Sequence, residues 1–246
     1  YIAEGGLIYV MHVNYNESIT LNKSVLIQGD RGPGSGVVIN APVNAPCLKF
    51  EPAQGTAHAV VANVSLHSRL KSSVAPCVDI GAGVFTLKES NVLGSTRAPA
   101  VRIAGGTVML EKNDISSGTT GVFVDQAHTL SQSFIIDNKI GKNTIGVDIA
   151  KDSRSDVVIA GNEIFDNVYS GVQASGFGAA KLIGNKIRNN KGSGIVLDKF
   201  AKLSLVRYNE IIANEGDGVA VQFGANGIIE DNQIVGNHGG AMHVGD

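Results

Sequence analysis

The apolar positions of this chain fall in short runs, and three such runs recur about every 24 residues. One unit has its runs at 203–206, 211–212 and 218–221, with polar or glycine residues between them. Each run is too short for a helix and many contain β-branched residues, so the pattern predicts three short strands per unit. A unit of this size cannot bury its apolar face alone, and the units must therefore stack into one continuous core.

Asparagines keep the register of these units. The first asparagine of successive units is Asn91, Asn113, Asn138, Asn162, Asn185, Asn209 and Asn232, and Asn63 fits a looser step before them. A second asparagine follows at Asn143, Asn167, Asn190, Asn214 and Asn237. The asparagine side chain both donates and accepts hydrogen bonds and tolerates left-handed backbone, so stacked copies should satisfy the backbone at strand corners. Both columns are therefore interpreted as structural and not as catalytic amides.

Stacking pairs each strand with its copy in the next unit, about 4.8 Å away and in parallel. The sequence therefore predicts an all-β fold, a parallel β-helix of about ten coils with three parallel sheets, built by one domain over residues 1–246. A β-sandwich is the alternative. It accounts for the strands but not for the register of the asparagines.

The segment 15–29 carries a more specific signal. Its alternating residues are Tyr15, Glu17, Ile19, Leu21, Lys23, Val25, Ile27 and Gly29, and the apolar members of this set should point inward. The run resembles the opening of right-handed, pectin-lyase-like β-helix proteins, including NosD-like and carbohydrate-binding or sugar-hydrolase repeats, the β-helix regions of F-box proteins, and pectin methylesterases. The later asparagine units resemble the repeats of the first two groups, which implies a right-handed helix. His12, Val13 and Asn14 replace the family's Pro-Gly, and a turn is expected at 31–36.

Composition and charge exclude several classes of partner. The formal net charge is -2, so neither nucleic acid nor an anionic membrane surface is expected. No apolar run is long enough for a membrane-spanning helix, and the histidines show no metal-ligand spacing, so no cofactor is expected.

The chain begins with Tyr1 and stops at Asp246 within a coil, so we expect a longer protein around this domain. The sequence does not indicate a compartment.

Two cysteines occupy the same place in successive coils. Cys47 and Cys77 each follow a proline and precede a predicted strand. Neighbours stacked at about 4.8 Å lie inside the Cα distance window of a disulfide. We nevertheless expect two buried thiols in place of the Ala100 or Gly121 of later coils, because a free cysteine behaves as a small apolar residue.

Two outward columns flank the first asparagine column. The residues that follow it alternate in sign and predict a structural salt-bridge ladder: Asp114, Lys139, Glu163, Lys186, Glu210 and Gln233. The residues four positions before it form what we call the apolar strip: Met109, Phe134, Val158, Lys181, Leu205 and Ile228. Five of these six are apolar although they should face outward, which predicts an interface with a partner or with a second copy of the chain. The alternative is that another segment of the protein covers the strip.

A third outward column runs along the strand that contains the recurring Gly-Val pairs. Its members are Lys49, Asp79, Arg102, Phe123, Asp148, Gln173, Val196, Ala220 and His243, with Asp125, Lys151, Asp152 and Asp198 just beyond it. The resemblance implies that this sheet forms the substrate groove in polysaccharide-acting relatives. Carboxylates and amides suit sugar hydroxyls and an aromatic ring suits a sugar face. The candidate ligand-binding residues are therefore Asp79, Arg102, Phe123, Asp125 and Asp148.

The same column offers two partial catalytic sets. Asp79 with Arg102 supplies a base and a cation, as a lyase or epimerase needs, and Asp125 with Asp148 supplies paired carboxylates for glycoside hydrolysis. However, the Asp-Pro-His-Asp pattern of alginate epimerases is absent, as are the Asn-Thr-Asp, Asp-Asp and Gly-His-Gly set of polygalacturonases. Mixed charges on a solvated sheet often have no further role. No catalytic residue is assigned.

The resulting expectation is a non-enzymatic recognition module that binds a glycan or a protein partner through the outer face of the β-helix. A polysaccharide lyase, epimerase or glycoside hydrolase acting on the third column is the alternative, and a structural spacer is another. A positive groove would favour an acidic glycan, and an uncovered apolar strip would favour a protein partner.

Overall fold

The computed structural model describes residues 5–11, 13–30, 36–53, 55–126, 132–199, 201 and 204–245. Its regular elements in these ranges are β-strands. The departure at His12 and most of the expected turn at 31–36 lie outside the described residues, as does residue 203 of the unit used to define the repeat.

The strands in chain order are β1 (Gly6–Val10), β2 (Asn14–Asn16), β3 (Ile19–Leu21), β4 (Val25–Gly29), β5 (Val37–Ala41), β6 (Leu48–Phe50), β7 (His58–Ala62), β8 (Val64–Ser68), β9 (Val78–Ile80), β10 (Val84–Lys88), β11 (Asn91–Leu93), β12 (Val101–Ile103), β13 (Thr107–Glu111), β14 (Asp114–Ser116), β15 (Thr120–Val124), β16 (Gln132–Ile136), β17 (Lys139–Gly141), β18 (Ile145–Ile149), β19 (Asp156–Ala160), β20 (Glu163–Phe165), β21 (Val172–Ala174), β22 (Ala180–Ile183), β23 (Lys186–Arg188), β24 (Ile195–Leu197), β25 (Ser204–Arg207), β26 (Glu210–Ile212), β27 (Asp217–Val221), β28 (Gly227–Glu230), β29 (Gln233–Val235) and β30 (Gly240–Val244).

Every third strand belongs to the same sheet. Sheet 1 runs from β1 through β4 to β28, sheet 2 from β2 through β5 to β29, and sheet 3 from β3 through β6 to β30. Within the described residues each sheet is parallel and has ten strands, so three consecutive strands make one coil, and we number the coils 1 to 10. This confirms the predicted β-helix with three parallel sheets and its number of coils. The β-sandwich is excluded, because each strand pairs in parallel with its copy one coil away.

The core lies inside the three sheets and follows the two-residue alternation of the strands. In β15, Val122 and Val124 are fully buried, whereas Phe123 between them is half-buried on the outer face. The predicted inward residues Ile19, Leu21, Val25 and Ile27 all face the core: the last three are buried, and Ile19 is half-buried and packs against them. Alternation places successive side chains on opposite faces, so the sequence pattern fixes which residues can reach a ligand outside the coil.

Both asparagine columns form hydrogen-bonded ladders inside the corners. Asn138 Nδ2 donates to Asn162 Oδ1 at 3.0 Å and to the carbonyl of Leu110 at 2.9 Å. In the second column, Asn167 Nδ2 donates to Asn190 Oδ1 at 2.9 Å. The structural interpretation of these amides is therefore supported by their partners, each one coil away.

Two assignments at the start of the first column are wrong. Asn91 is exposed on the outer face of β11, and the ladder position of its coil is held by Ser90, whose amide donates to Asn113 Oδ1 at 3.1 Å. Asn63 is also out of register, but on the other side: it lies one residue before the ladder position of its coil, which is Val64. A serine hydroxyl can replace the amide at this place because it also accepts from the preceding coil, here from the Val64 amide at 3.2 Å.

Left-handed backbone occurs one residue before the ladder asparagines. Asp137 (φ 55°) precedes Asn138, and Lys142 (φ 58°) precedes Asn143. Asparagine tolerates left-handed backbone, but the ladder asparagines do not adopt it. The preceding residue makes the turn, which leaves the asparagine side chain aimed into the corner.

The prediction of two separate thiols is also wrong. Cys47 and Cys77 form a disulfide between coils 2 and 3, with their Cα atoms 4.9 Å apart, and both are fully buried. Stacking in register brings the two side chains together at the distance that a disulfide requires, so the same place in successive coils suits a bonded pair.

Candidate functional site

The candidate site is the outer face of sheet 3 in coils 3 to 7. The structure places the third column in register: Arg102 lies between Asp79 and Phe123, and Asp148 lies beyond Phe123. The column continues through Gln173, Val196, Ala220 and His243. Four of the five candidate ligand-binding residues therefore share one face of sheet 3, and the fifth, Asp125, lies just past the end of β15 and accepts a hydrogen bond from Arg102.

Arg102 is shared by two carboxylates. Its Nη2 atom donates to Asp125 Oδ2 at 3.2 Å, and its Nη1 atom lies 3.5 Å from Asp79 Oδ1. The Asp125 amide donates to the carbonyl of Ile103 at 2.8 Å, which fixes the backbone beside the pair. The guanidinium charge is thus offset by its neighbours, and the face is not the positive groove that would favour an acidic glycan on charge alone.

Asp148 is the titratable group that departs most from ordinary behaviour in this column. Burial raises the pKa of its carboxyl to about 6 from 3.8, because the charged form loses hydration there. The side chain is half-buried beside Phe123 on the neighbouring strand. A carboxyl with a pKa close to neutral is able to exchange protons under physiological conditions.

Gln126 is a site residue that sequence reasoning missed. It is fully buried, its Nε2 donates to the carbonyl of Gly106 at 2.8 Å, and its backbone carbonyl accepts from the Arg154 amide at 3.1 Å. These bonds hold the chain where it leaves Asp125. A polar residue after a strand is typical of a loop, so the sequence carried no signal of this role.

The glycine near the start of several sheet 3 strands is required by close packing between coils. A Cβ atom on Gly121 would lie 2.6 Å from the carbonyl oxygen of Gly146 and 2.9 Å from Asn143 Nδ2. The Gly-Val pairs thus allow coils to approach each other beside the second asparagine ladder.

Metal-binding geometry is not found in the described part of the chain: no three or more His, Cys, Asp or Glu side chains form a group that could hold an ion. The described ranges also contain no helix that is long and apolar enough to cross a membrane.

The apolar strip lies on the outer face of sheet 1, as predicted. Met109, Phe134, Val158 and Leu205 are half-buried between inward neighbours, and Ile228 is 61% exposed. Sequence reasoning missed a second apolar group, two residues further along the strands, which consists of Ile136, Ala160 and Ile183. The same period-two alternation would have found these residues.

The charged column beside the first asparagine ladder forms ion pairs only in part. Lys186 Nζ lies 3.5 Å from Glu210 Oε1 in the next coil, as a ladder requires. Glu163 instead pairs with Arg188, whose Nη2 atom lies 2.6 Å from Glu163 Oε1. The Arg188 guanidinium carbon also lies over the Phe165 ring, 5.1 Å from its centroid. These side chains lie on sheet 2, away from the candidate site.

Comparison with known proteins relates the chain to other β-helices. It is 31% identical over 117 residues to a mannuronan C5-epimerase of Pseudomonas putida, a match covering 46% of this chain and 22% of that protein. Its fold is similar to the A-module of the mannuronan C-5 epimerase AlgE4 of Azotobacter vinelandii, with a TM-score of 0.65 and 13% identity over 98% of this chain and 88% of that one. It is also similar to ORF18 of Geobacillus virus E2, with a TM-score of 0.68 and 11% identity over 98% of this chain and 54% of that one.

These relationships agree with the architecture. The chain spans about a fifth of the length of the curated relative and about half of the viral protein. The two structural similarities establish a shared fold. Residues 99–246, more than half of the chain, match the family described as the right-handed beta helix region. Together with the three ten-stranded parallel sheets, this match shows that the chain belongs to the right-handed β-helix family.

Proposed function

We propose that this chain is a recognition module that binds a polysaccharide along the outer face of sheet 3 and does not catalyse a reaction on it. The observation that carries the proposal is the unbroken row of Asp79, Arg102, Phe123 and Asp148 on four neighbouring strands, with Asp125 beside it. Sugar hydroxyls both donate and accept hydrogen bonds, so carboxylates and a guanidinium along one line suit successive sugar rings.

The spacing supports contacts with several sugars. The row covers four coils, about 14 Å from end to end at about 4.8 Å per coil. The side chains of Arg102 and Asp79 are 38% and 21% exposed, so both residues are partly accessible to a ligand, although Asp79 Oδ1 is itself buried. Phe123 presents an apolar surface between the charged groups, on which the face of a sugar ring is able to pack.

The similarity to a mannuronan C5-epimerase makes a uronate polymer the first ligand to test. Arg102 is the cation of the row, and it would meet a sugar carboxylate by exchanging one of its two carboxylate partners. That exchange costs part of the existing ion pairs, so we expect modest affinity that rises with the number of sugars bound.

Binding is measured by isothermal titration with mannuronan, alginate, pectin, hyaluronan and a neutral β-glucan. We expect Arg102→Ala and Phe123→Ala each to weaken binding by about tenfold, as the loss of about 1.4 kcal/mol implies. Lys186→Ala, an exposed change on sheet 2, is the control and should leave affinity unchanged. Absence of binding to every polymer, or equal affinity in all three variants, contradicts the proposal.

Acid–base chemistry at Asp148 is a second candidate, favoured by its pKa of about 6. At pH 7 most of this carboxyl is ionised and able to take a proton from C5 of a uronate ring, leaving a carbanion that the sugar carboxylate stabilises. Reprotonation from the opposite face would invert C5, and this requires a second group that the described residues do not identify.

The two candidates are separated by incubating the protein with mannuronan in D2O. Incorporation of deuterium at C5, seen by NMR and lost in Asp148→Asn while binding persists, would replace the recognition proposal by the enzymatic one. Binding without exchange, new reducing ends or unsaturated product supports recognition.

A further inference from the structure

The outer face of sheet 1 carries two parallel columns that share one register. The first contains the apolar strip, preceded in coil 4 by Thr86. The second lies two residues further along each strand and runs through coils 4 to 10 as Lys88, Glu111, Ile136, Ala160, Ile183, Arg207 and Glu230. Together they give a centre in coils 6 to 8 that is apolar except for Lys181, with charged residues at both ends.

The charges at the two ends are complementary under reversal of the coil order. Glu111 lies two coils before Ala160, and Arg207 lies two coils after it. Lys88 lies three coils before Ala160, and Glu230 lies three coils after it. When a reversed copy of the second column faces the original, each cation therefore lies opposite an anion. Each remaining position places an apolar residue opposite another apolar residue.

We propose that this face joins two copies of the chain in a two-fold dimer whose axis runs along β19. The symmetry operation keeps each column opposite itself and reverses the coil order, as an isologous contact requires. Val158 and Ala160 meet their own copies on the axis, Glu111 meets Arg207 of the second copy, and Lys88 meets Glu230.

The apolar strip fits the same arrangement. Met109 is opposite Leu205, and Phe134 is opposite Lys181, the one cation of the strip. An ammonium over an aromatic face is favourable, and the two-fold axis produces this contact twice. Lys181 is thus accommodated by a partner in this register, although it interrupts the strip within one chain.

The contact is small. Seven coils at about 4.8 Å and strands of about four residues give a footprint of roughly 30 Å by 13 Å on each copy. This is about 400 Å² per copy, which is below the usual size of specific interfaces, so we expect a weak, concentration-dependent equilibrium between monomer and dimer. Glu111 already pairs with Lys112, and Arg207 with Asp231, within one chain. The dimer would therefore add a further opposite charge to each of these existing ion pairs.

Among the described residues, the carboxylate of Asp156 opposes the contact. Asp156 begins β19 and would lie near its own copy at the margin of the face. Its Oδ1 accepts a hydrogen bond from the Ala179 amide at 3.1 Å, and its exposure to solvent screens the repulsion. The dimer contact can therefore form while the Asp156 carboxylate is charged.

Charge reversal tests the register. Glu111→Arg and Arg207→Glu should each raise the dimer dissociation constant by about tenfold or more, because each places like charges opposite one another twice. A mixture of the two variants should form a heterodimer with wild-type affinity, because every facing pair is again of opposite charge. The double variant should likewise restore the homodimer. Sedimentation velocity over a concentration series measures all four proteins, with Lys186→Glu on sheet 2 as the control.

A second experiment does not depend on charge. Cys47 and Cys77 are bonded to each other and are the protein's two cysteines, so Val158→Cys introduces a single thiol. A short bis-maleimide should link two copies through this thiol, whereas Lys186→Cys should give no dimer. Wild-type protein that stays monomeric at high concentration overturns the proposal. So does a folded pair of reversal variants that fails to recombine, or equal cross-linking at both positions.

Discussion

At the scale of single residues, the ladder asparagines are fully used by hydrogen bonds. Asn185 Oδ1 accepts from the amide and from Nδ2 of Asn162, both at 3.0 Å, and its own Nδ2 donates to Asn209 Oδ1 and to the carbonyl of Ile159. It is 1% exposed. A buried amide in this state cannot be removed without leaving several neighbours unpaired.

Asn185→Ala should lower the free energy of unfolding by about 1–3 kcal/mol, because buried donors and acceptors in two neighbouring coils lose their partner. Lys186→Ala, the next residue, should cost less than about 1 kcal/mol, because its pair with Glu210 is exposed. Urea unfolding of the two variants measures the difference. Equal losses would contradict the inward placement of the ladder.

Asp148 is expected to make stability depend on pH. The pKa of its carboxyl is about 6 in the folded state and exceeds the ordinary value of 3.8. The stability that the protonated carboxyl contributes is therefore fully present below about pH 4 and is lost as the pH rises through 6. Asp148→Asn should therefore be more stable than the wild type at pH 8, by at most about 3 kcal/mol, and should match it near pH 4.

Chemical unfolding at both pH values checks this, with Asp152→Asn as the exposed control in the following turn. A gain in stability that is the same at pH 4 and pH 8 would show that burial of the charge is not its cause. A gain at pH 8 that accompanies lost binding or turnover would mark Asp148 as a residue whose function costs stability.

At the scale of elements, each strand is held by its copies in the coils before and after it. Short strands of three to five residues gain little from local contacts, so register depends on what fixes neighbouring coils to each other. The asparagine ladders do this in the later coils. In coils 2 and 3 the disulfide between Cys47 and Cys77 contributes, before the ladders begin.

Replacing both cysteines by alanine should lower stability by roughly 3 kcal/mol, as expected for closing a loop of 30 residues in the unfolded chain. Alanine is the residue at the same place in the next coil, Ala100, so packing should be preserved. Urea unfolding with and without a reductant measures the effect. The double variant serves as the control, since reductant should destabilise the wild type and leave the variant unchanged.

At the scale of the whole molecule, the solenoid separates its surfaces by sheet. The row proposed to bind polysaccharide is on sheet 3, the face proposed to dimerise is on sheet 1, and the ion pairs around Glu163 and Lys186 are on sheet 2. Dimerisation through sheet 1 would leave both sheet 3 faces open, with their coil orders opposed. Two such faces on one particle would increase binding to a long polymer without any new contact.

The sequence by itself determined the coil architecture and which side chains face outward. The same pattern of apolar runs, asparagines and two-residue alternation recurs in each unit. Because each coil packs against coils with that same pattern, the local sequence fixes which residues meet one coil away. For this reason the pattern alone places the row from Asp79 to Asp148 and the apolar strip on their outward faces. Asn91 was assigned to the ladder in error. It lies 22 residues before Asn113, close to the usual repeat, whereas the ladder position of its coil is occupied by Ser90.

Only the tertiary structure decided the properties that depend on distance and burial across coils. The bond between Cys47 and Cys77, the sharing of Arg102 by two carboxylates, the anchoring by Gln126 and the raised pKa of Asp148 each depend on where side chains end and how much water they keep. Periodicity gives the face and the coil of a residue. The energies of its charge and hydrogen bonds follow from its surroundings in three dimensions, which a one-dimensional pattern does not contain.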